Sequence, residues 1–125
     1  GENSFDKIDL DKFDFIFLPN YEIEKLDDNS VDIFLNKNSL GEMDPDSSKN
    51  YVKIISEKCN FFFHMNHETN RNYFDNGKCS LINSEYPISK DLNLILRQPD
   101  LGDLIYENNK INYNSDIFTY VYKKN

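Results

Sequence analysis

Hydrophobic residues gather into five dense runs along the chain, with polar connections between them. The first, Phe13 to Leu18, stops at Pro19 and predicts a strand covered on both faces, because its apolar density leaves no regular solvent-facing position. Val31 to Asn36 and Phe61 to Asn66 predict two more buried strands. Between them Tyr51, Val52, Ile54 and Ile55 recur at helical spacing. Asp44 offers an N-cap, Pro45 suits the first helical position, Asp46 lies at the positive end of the dipole, and Lys53 and Lys58 lie toward its negative end. The spacing predicts a helix over 45–58. Strand, helix and strand in close succession make a βαβ unit, with parallel strands and a right-handed crossover.

Leu92 to Arg97 predicts a fourth strand. Asp116 to Tyr122, rich in β-branched and aromatic residues, predicts the last. These two are expected to pair antiparallel around an inserted connection, in which Leu101, Leu104 and Ile105 permit a short helix. Tyr21 to Ser30 is a polar connection with room for one helical turn at Ile23 and Leu26. His67 to Cys79 reads as a loop with Gly77 at a turn. Residues 1–12 read as a loosely held polar leader or a short amphipathic piece. No internal repeat or low-complexity tract interrupts a single α/β domain over 1–125.

Charge narrows the partners. The chain has 125 residues, 22 Asp and Glu against 14 Lys and Arg, and a formal charge of −8. A chain this acidic, with no basic stripe, is repelled by phosphate backbones and anionic membranes, so neither nucleic acid nor membrane is an expected partner. The longest apolar runs fall far short of the ~18 residues of a membrane span. With no basic-plus-apolar leader segment, the expected location is cytoplasmic. The 18 Asn, 12 Ile and 18 aromatic residues, with no Ala or Trp, fit coding pressure from an AT-rich genome. The aromatic content also argues against disorder. Cys59 and Cys79 stand in no metal-type spacing and read as buried or half-buried thiols. A disulfide between them needs an oxidising compartment.

Candidate chemistry lies at strand ends, because open α/β sheets bind ligands outside the carboxyl ends of their strands. Three such ends are polar: Asn20 after the first strand, Asn36-Lys37-Asn38-Ser39 leading to Glu42 after the second, and Asn66-His67-Glu68 after the third. Amides and a hydroxyl both donate and accept, which suits a multiply hydroxylated or zwitterionic ligand. Few cations stand there, so a phosphate-rich ligand is disfavoured. The blander alternative is that Asn is abundant here and favours strand-end turns. It explains a single Asn better than the cluster around Asn36. Glu42 with His67 reads as a base and its orienter. His64, His67 and Glu68 have metal-ligand chemistry, but His64 falls inside a strand and His67 just beyond its end, so no complete ligand set is evident and no metal is expected. The four glycines are isolated, so there is no Gly-rich phosphate loop, and no nucleophile elbow either.

Several of these residues carry a resemblance. Leu18-Pro19-Asn20 ends one strand, and Asp28-Asn29-Ser30-Val31-Asp32 enters the next. Asn38-Ser39-Leu40-Gly41-Glu42-Met43 follows that strand, Tyr51 lies on the ensuing helix, and Asn66 ends the strand after it. This pattern resembles the C-terminal half of class I S-adenosylmethionine-dependent methyltransferases, most closely the sugar O-methyltransferases. It covers 13–66 and is expected to continue to the terminal strand pair. The resemblance implies a Rossmann-like sheet ordered 3-2-1-4-5-7-6, in which the five strands here are the third to the seventh. Its first two strands have no counterpart, nor does the Gly-rich loop or the acidic residue that grips the cofactor ribose. The expectation is therefore a partial methyltransferase domain: mostly parallel strands, a C-terminal antiparallel pair and helices on the faces. The third strand then either pairs elsewhere or stays as an exposed edge open to self-association.

By the same resemblance, the activity is methyl transfer from S-adenosylmethionine to a sugar hydroxyl; this chain alone is expected to bind the cofactor weakly or not at all and to be inactive. Asn20 would lie near the adenine and Asn36 near the methionine part. Asn38, Ser39 and Asn66 would face the acceptor, a small molecule. Transfer is an in-line displacement at a sulfonium methyl, so positioning does most of the work. A sugar hydroxyl has a high pKa and benefits from a general base, a role that falls to Glu42 or His67. Two other classes stay open: a non-enzymatic α/β interaction module, and a metal-dependent hydrolase using His64, His67 and Glu68.

Overall fold

A computed structural model describes residues 12, 14–17, 19–106 and 110–125, with Tyr106 described by its backbone alone. β1 (Val31–Lys37), α1 (Pro45–Lys58) and β2 (Cys59–His67) form the predicted βαβ unit, and β1 and β2 pair in parallel. The helix bounds are those the sequence predicts. Asp44 caps the helix by accepting from the Asp46 N–H at 3.0 Å, and Pro45 opens it where a missing N–H costs nothing. No linker separates α1 from β2: Cys59 closes the helix with its own N–H to the Ile55 carbonyl and begins the strand.

After β2 the chain leaves the sheet as far as Asp91. Arg71 grips Glu85 with two bonds of 2.7 and 2.6 Å and also donates to the Ser80 carbonyl. Gly77 turns this excursion with φ of 78°, as expected. A 3-10 turn at Asn83–Glu85 then delivers Tyr86 to the core. β3 (Leu92–Pro99) follows, then α2 (Leu101–Leu104), a small hairpin of β4 (Ile105–Tyr106) and β5 (Lys110–Ile111), and finally β6 (Ile117–Lys124).

The main sheet runs β1-β2-β6-β3. β6 is antiparallel to both neighbours, so β1, β2 and β3 point one way and β6 the other. The expected terminal antiparallel pair is present, with a register shift between Leu94 and Leu96. The sheet is mixed, which corrects the mostly parallel expectation. The last strand lies between β2 and β3, so two of the three pairings are antiparallel.

The core lies on one face of this sheet. Val52 and Ile55 of α1 pack with Phe62, Tyr120, Tyr122, Tyr86 and Leu40. Burying a side chain such as Phe62 contributes about 2–3 kcal/mol. On the opposite face Ile33 and Leu35 remain 63% exposed, so β1 is covered on one face and not on two. The expected strand at Phe13 to Leu18 also needs correction. Phe13 and Leu18 lie outside the described residues, as do residues 1–11 of the expected leader. Residues 14–17 form no strand, and Phe15 and Phe17 are exposed, since no described strand offers them a ladder partner. A 3-10 helix at Asn20–Lys25 supplies the single turn expected around Ile23. Cys59 is buried, Cys79 is half-buried, and both are free. No described helix is long and apolar enough to cross a membrane.

Candidate functional site

Parallel pairing puts the carboxyl ends of β1 and β2 side by side, with Asn36 opposite His64. Asn38 then turns the chain at φ of 51°, a left-handed conformation that Asn tolerates, and its N–H donates to the Met65 carbonyl at 2.8 Å. This turn launches the 3-10 helix Leu40–Glu42. It also folds Ser39 back over the strand end, where Ser39 Oγ accepts from Asn36 Nδ2 at 2.5 Å.

Asn66 completes the cluster from β2. Its Nδ2 donates to Asn36 Oδ1 at 3.1 Å and lies 3.3 Å from His64 Nδ1. The sequence-predicted Asn36, Ser39 and Asn66 are thus joined in one chain of hydrogen bonds. It begins at the half-buried Ser39 and ends at a fully buried imidazole. His64 stacks on Tyr120 at 4.9 Å and meets Phe62, Tyr122 and the edge of Tyr86. Burial among these rings pushes its pKa down to about 4, so the ring is neutral near pH 7.

His67 points to a different partner from the one expected. Its Nδ1 lies 3.3 Å from Asp116 Oδ2. Asp116 precedes β6, and antiparallel pairing of His67 with Ile117 brings it beside the end of β2. The same carboxylate accepts from the Thr69 N–H and hydroxyl and from the Asn70 N–H at 2.7 Å. Burial alone would raise the Asp116 pKa, but the bonds from Thr69, Asn70 and His67 outweigh it and hold the carboxyl below its ordinary range. Facing a carboxylate, His67 Nδ1 donates to Asp116, which fixes the orientation of the ring and of its Nε2.

Glu42 does not orient His67. Its Oε1 accepts from Asn72 Nδ2 at 2.9 Å, and Asn72 also donates to the Gly41 carbonyl at 3.0 Å. Gly41 brings the two side chains near one another: a Cβ there would sit 3.5 Å from His67 Cδ2 and 3.8 Å from Asn72 Nδ2. Asn38 is exposed beside this cluster. Asn20 stands apart from it, in a cleft of about 200 Å³ lined by Tyr21, Met43, Ser47, Asn50 and Tyr51. Asp116 and Asn72 escape a reading of the sequence. Asp116 could be found by its place directly before the last strand, but only once the register of that strand is known. Among the described residues no group of His, Cys, Asp and Glu is arranged to hold a metal ion. His64 and His67 differ sharply in surroundings, one stacked in the core and the other paired at the strand end.

Comparison with known proteins finds no matching family model, no matching curated protein and no matching solved structure.

Proposed function

We propose that this chain carries the acceptor side of an S-adenosylmethionine-dependent O-methyltransferase, with His67 as the general base and a sugar hydroxyl as the methyl acceptor. The observation that carries this reading is the His67–Asp116 pair, set beside the Asn36–Ser39–Asn66 cluster at the carboxyl ends of β1 and β2. The strand order lends support. Four adjacent strands with one antiparallel member next to the end match the 4-5-7-6 portion of the order the resemblance implies.

S-adenosylmethionine, when bound, supplies an electrophilic methyl on a sulfonium and leaves as a neutral thioether. The residues present fit one end of it: Tyr21 and Tyr51 offer rings, and Asn20 and Asn50 offer amides, to a purine. No Gly-rich loop is available in this sequence to hold the rest, so the expected affinity is weak. With the cofactor bound, His67 Nε2 would be the group to accept the acceptor hydroxyl's proton. Asp116 holds the ring and stabilises the resulting imidazolium. Glu42 is held by Asn72.

Titration with S-adenosylmethionine followed by amide NMR tests the reading. Millimolar cofactor should perturb Asn20, Tyr51 and Asn36. An unchanged spectrum in a longer chain that carries a Gly-rich segment, or changes confined to the far end of the sheet, would overturn it. The exposed Ile33 and Leu35 favour a second reading, a non-enzymatic interaction module that covers this face with a partner. Such a module has no need of His67, so His67→Ala would leave its binding intact.

A further inference from the structure

The buried hydrogen bonds behind Ser39 have a direction. Asn66 turns its Nδ2 toward two neighbours, Asn36 Oδ1 at 3.1 Å and His64 Nδ1 at 3.3 Å. An amide nitrogen only donates, so both neighbours accept. In this arrangement His64 Nδ1 accepts and the neutral ring carries its proton on Nε2, which, like Asn66 Oδ1, lies buried without a hydrogen-bond partner. Asn36, having used its carbonyl to accept, presents Nδ2 to Ser39 Oγ at 2.5 Å. Ser39 Oγ accepts that bond, so its own proton points away from Asn36. Every orientation in the row follows from the one before it. Asn66 and His64 are buried and cannot exchange partners with solvent; Asn36 is nearly so.

The reversed row also exists on paper. With the proton on His64 Nδ1, Asn66 would present its carbonyl to the ring and accept from Asn36, and Ser39 would donate inward to Asn36. Ser39 would then offer only lone pairs to a ligand. The tautomer of a histidine in the core thus decides whether the strand end presents a donor or an acceptor.

We infer that His64 sets Ser39 as an outward hydrogen-bond donor, and that the ligand group received there is an uncharged acceptor oxygen, such as the ring oxygen of a sugar. An anionic oxygen is disfavoured by the carboxylates of Glu42 and Asp116 near the strand ends and by the net charge of −8. The ligand half of this inference rests on reading the strand ends as a sugar site. The relay half rests on geometry alone. Ser39 is a specificity-determining residue here, and His64 and Asn66 are positioning residues that act through it.

Long-range ¹⁵N–¹H NMR of the imidazole reads the tautomer with no ligand present. The expected result is a proton on His64 Nε2 and a bare Nδ1. A proton on Nδ1, or an imidazolium at pH 7, would overturn the relay. Asn66→Asp removes the donor and should move the proton to Nδ1. Because that buried change could unfold the chain, Ser39→Ala provides a second test: it sits at the half-buried end and should leave the tautomer unchanged. For the ligand half, the probes are methyl α-D-glucopyranoside and its carbocyclic analogue, with a methylene in place of the ring oxygen. The glycoside should bind about tenfold tighter than the carbocycle, the effect of one hydrogen bond, and Ser39→Ala should erase the difference. Equal binding of both probes would overturn the role of Ser39 alone. Binding of neither would overturn the sugar-site reading with it, while the tautomer result stands apart.

Discussion

His67 Nδ1 lies 3.3 Å from Asp116 Oδ2, so the last residue of β2 is tied to the residue that precedes β6. That carboxylate also collects the Thr69 and Asn70 backbone N–H groups, so it organises the loop leaving β2 as well as the ring. Asp116→Ala would leave these donors without an acceptor and should cost about 1–3 kcal/mol of stability in urea denaturation. Asp116→Asn retains one acceptor oxygen and should cost less. If both variants are as stable as the wild type, the bonds at Asp116 contribute nothing measurable.

On the catalytic reading, in a chain that also carries a Gly-rich cofactor segment, His67→Ala should lower methyl transfer by about 10²–10⁴-fold, the usual contribution of a positioned base. Cofactor affinity should be unchanged, since His67 lies outside the Asn20 cleft. A rate loss that tracks weaker cofactor binding would argue against a base role. Radiolabelled methyl transfer measured beside a binding titration separates the two.

His64 makes stability depend on pH. Its pKa falls from an ordinary 6.5 to about 4 in the fold, through burial among Phe62, Tyr86, Tyr120 and Tyr122. Between those values the unfolded chain binds a proton that the folded chain refuses. Stability should therefore fall as pH drops from 6.5 toward 4, by about 3 kcal/mol in all, and be level in this respect above 6.5. Chemical denaturation across that range should show the slope in the wild type and a shallower one in His64→Gln. Equal slopes would assign the acid sensitivity to other groups.

The cap at Asp44 is a local test. Asp44→Ala removes the acceptor for the Asp46 N–H and should cost about 1 kcal/mol. Its ion pair with Lys78 is exposed and adds little. Asp44→Ser, which keeps a capping oxygen, should recover most of the loss in a thermal melt.

The parts of the fold that were legible in the sequence are those set by local chemistry. Asp44, Pro45 and the spacing of Val52 and Ile55 mark α1 to the residue, because caps and periodicity act within a turn or two. Val31 to Asn36 and Phe61 to Asn66 show as strands for a similar reason. Phe13 to Leu18 looks the same by composition, yet the described residues 14–17 form no strand. A strand is a relation to a neighbour, and apolar density says nothing about whether one is present. The site divides in the same way. Asn36, Ser39 and Asn66 lie near strand ends that the pattern locates, and they meet. Asp116 and Asn72 reach the site only through the antiparallel register of β6 and the path of the excursion after β2, both long-range properties.

The two faces of the sheet give a matched pair of substitutions. Phe62 is fully buried beneath α1, and Phe62→Ala should cost about 3–5 kcal/mol. Leu35, one strand away on the opposite face, is mostly exposed, and Leu35→Lys should change stability by about 0.5 kcal/mol or less. A large loss at Leu35 in the isolated chain would mean that its face is covered in solution.

The position of β6 has a consequence for how the chain acquires its structure. The strand that joins β2 to β3 is the last of the four to emerge during synthesis, and every contact it makes reaches far back along the sequence. β1, α1 and β2 can associate early as a local unit. β3 must wait without a sheet partner, its backbone groups unpaired, until residues 117–124 arrive to fill the gap. Long-range pairings of this kind slow folding and prolong the exposure of sticky intermediates. A nascent chain stalled before Ile117 should therefore be the most protease-sensitive and chaperone-dependent form of this protein.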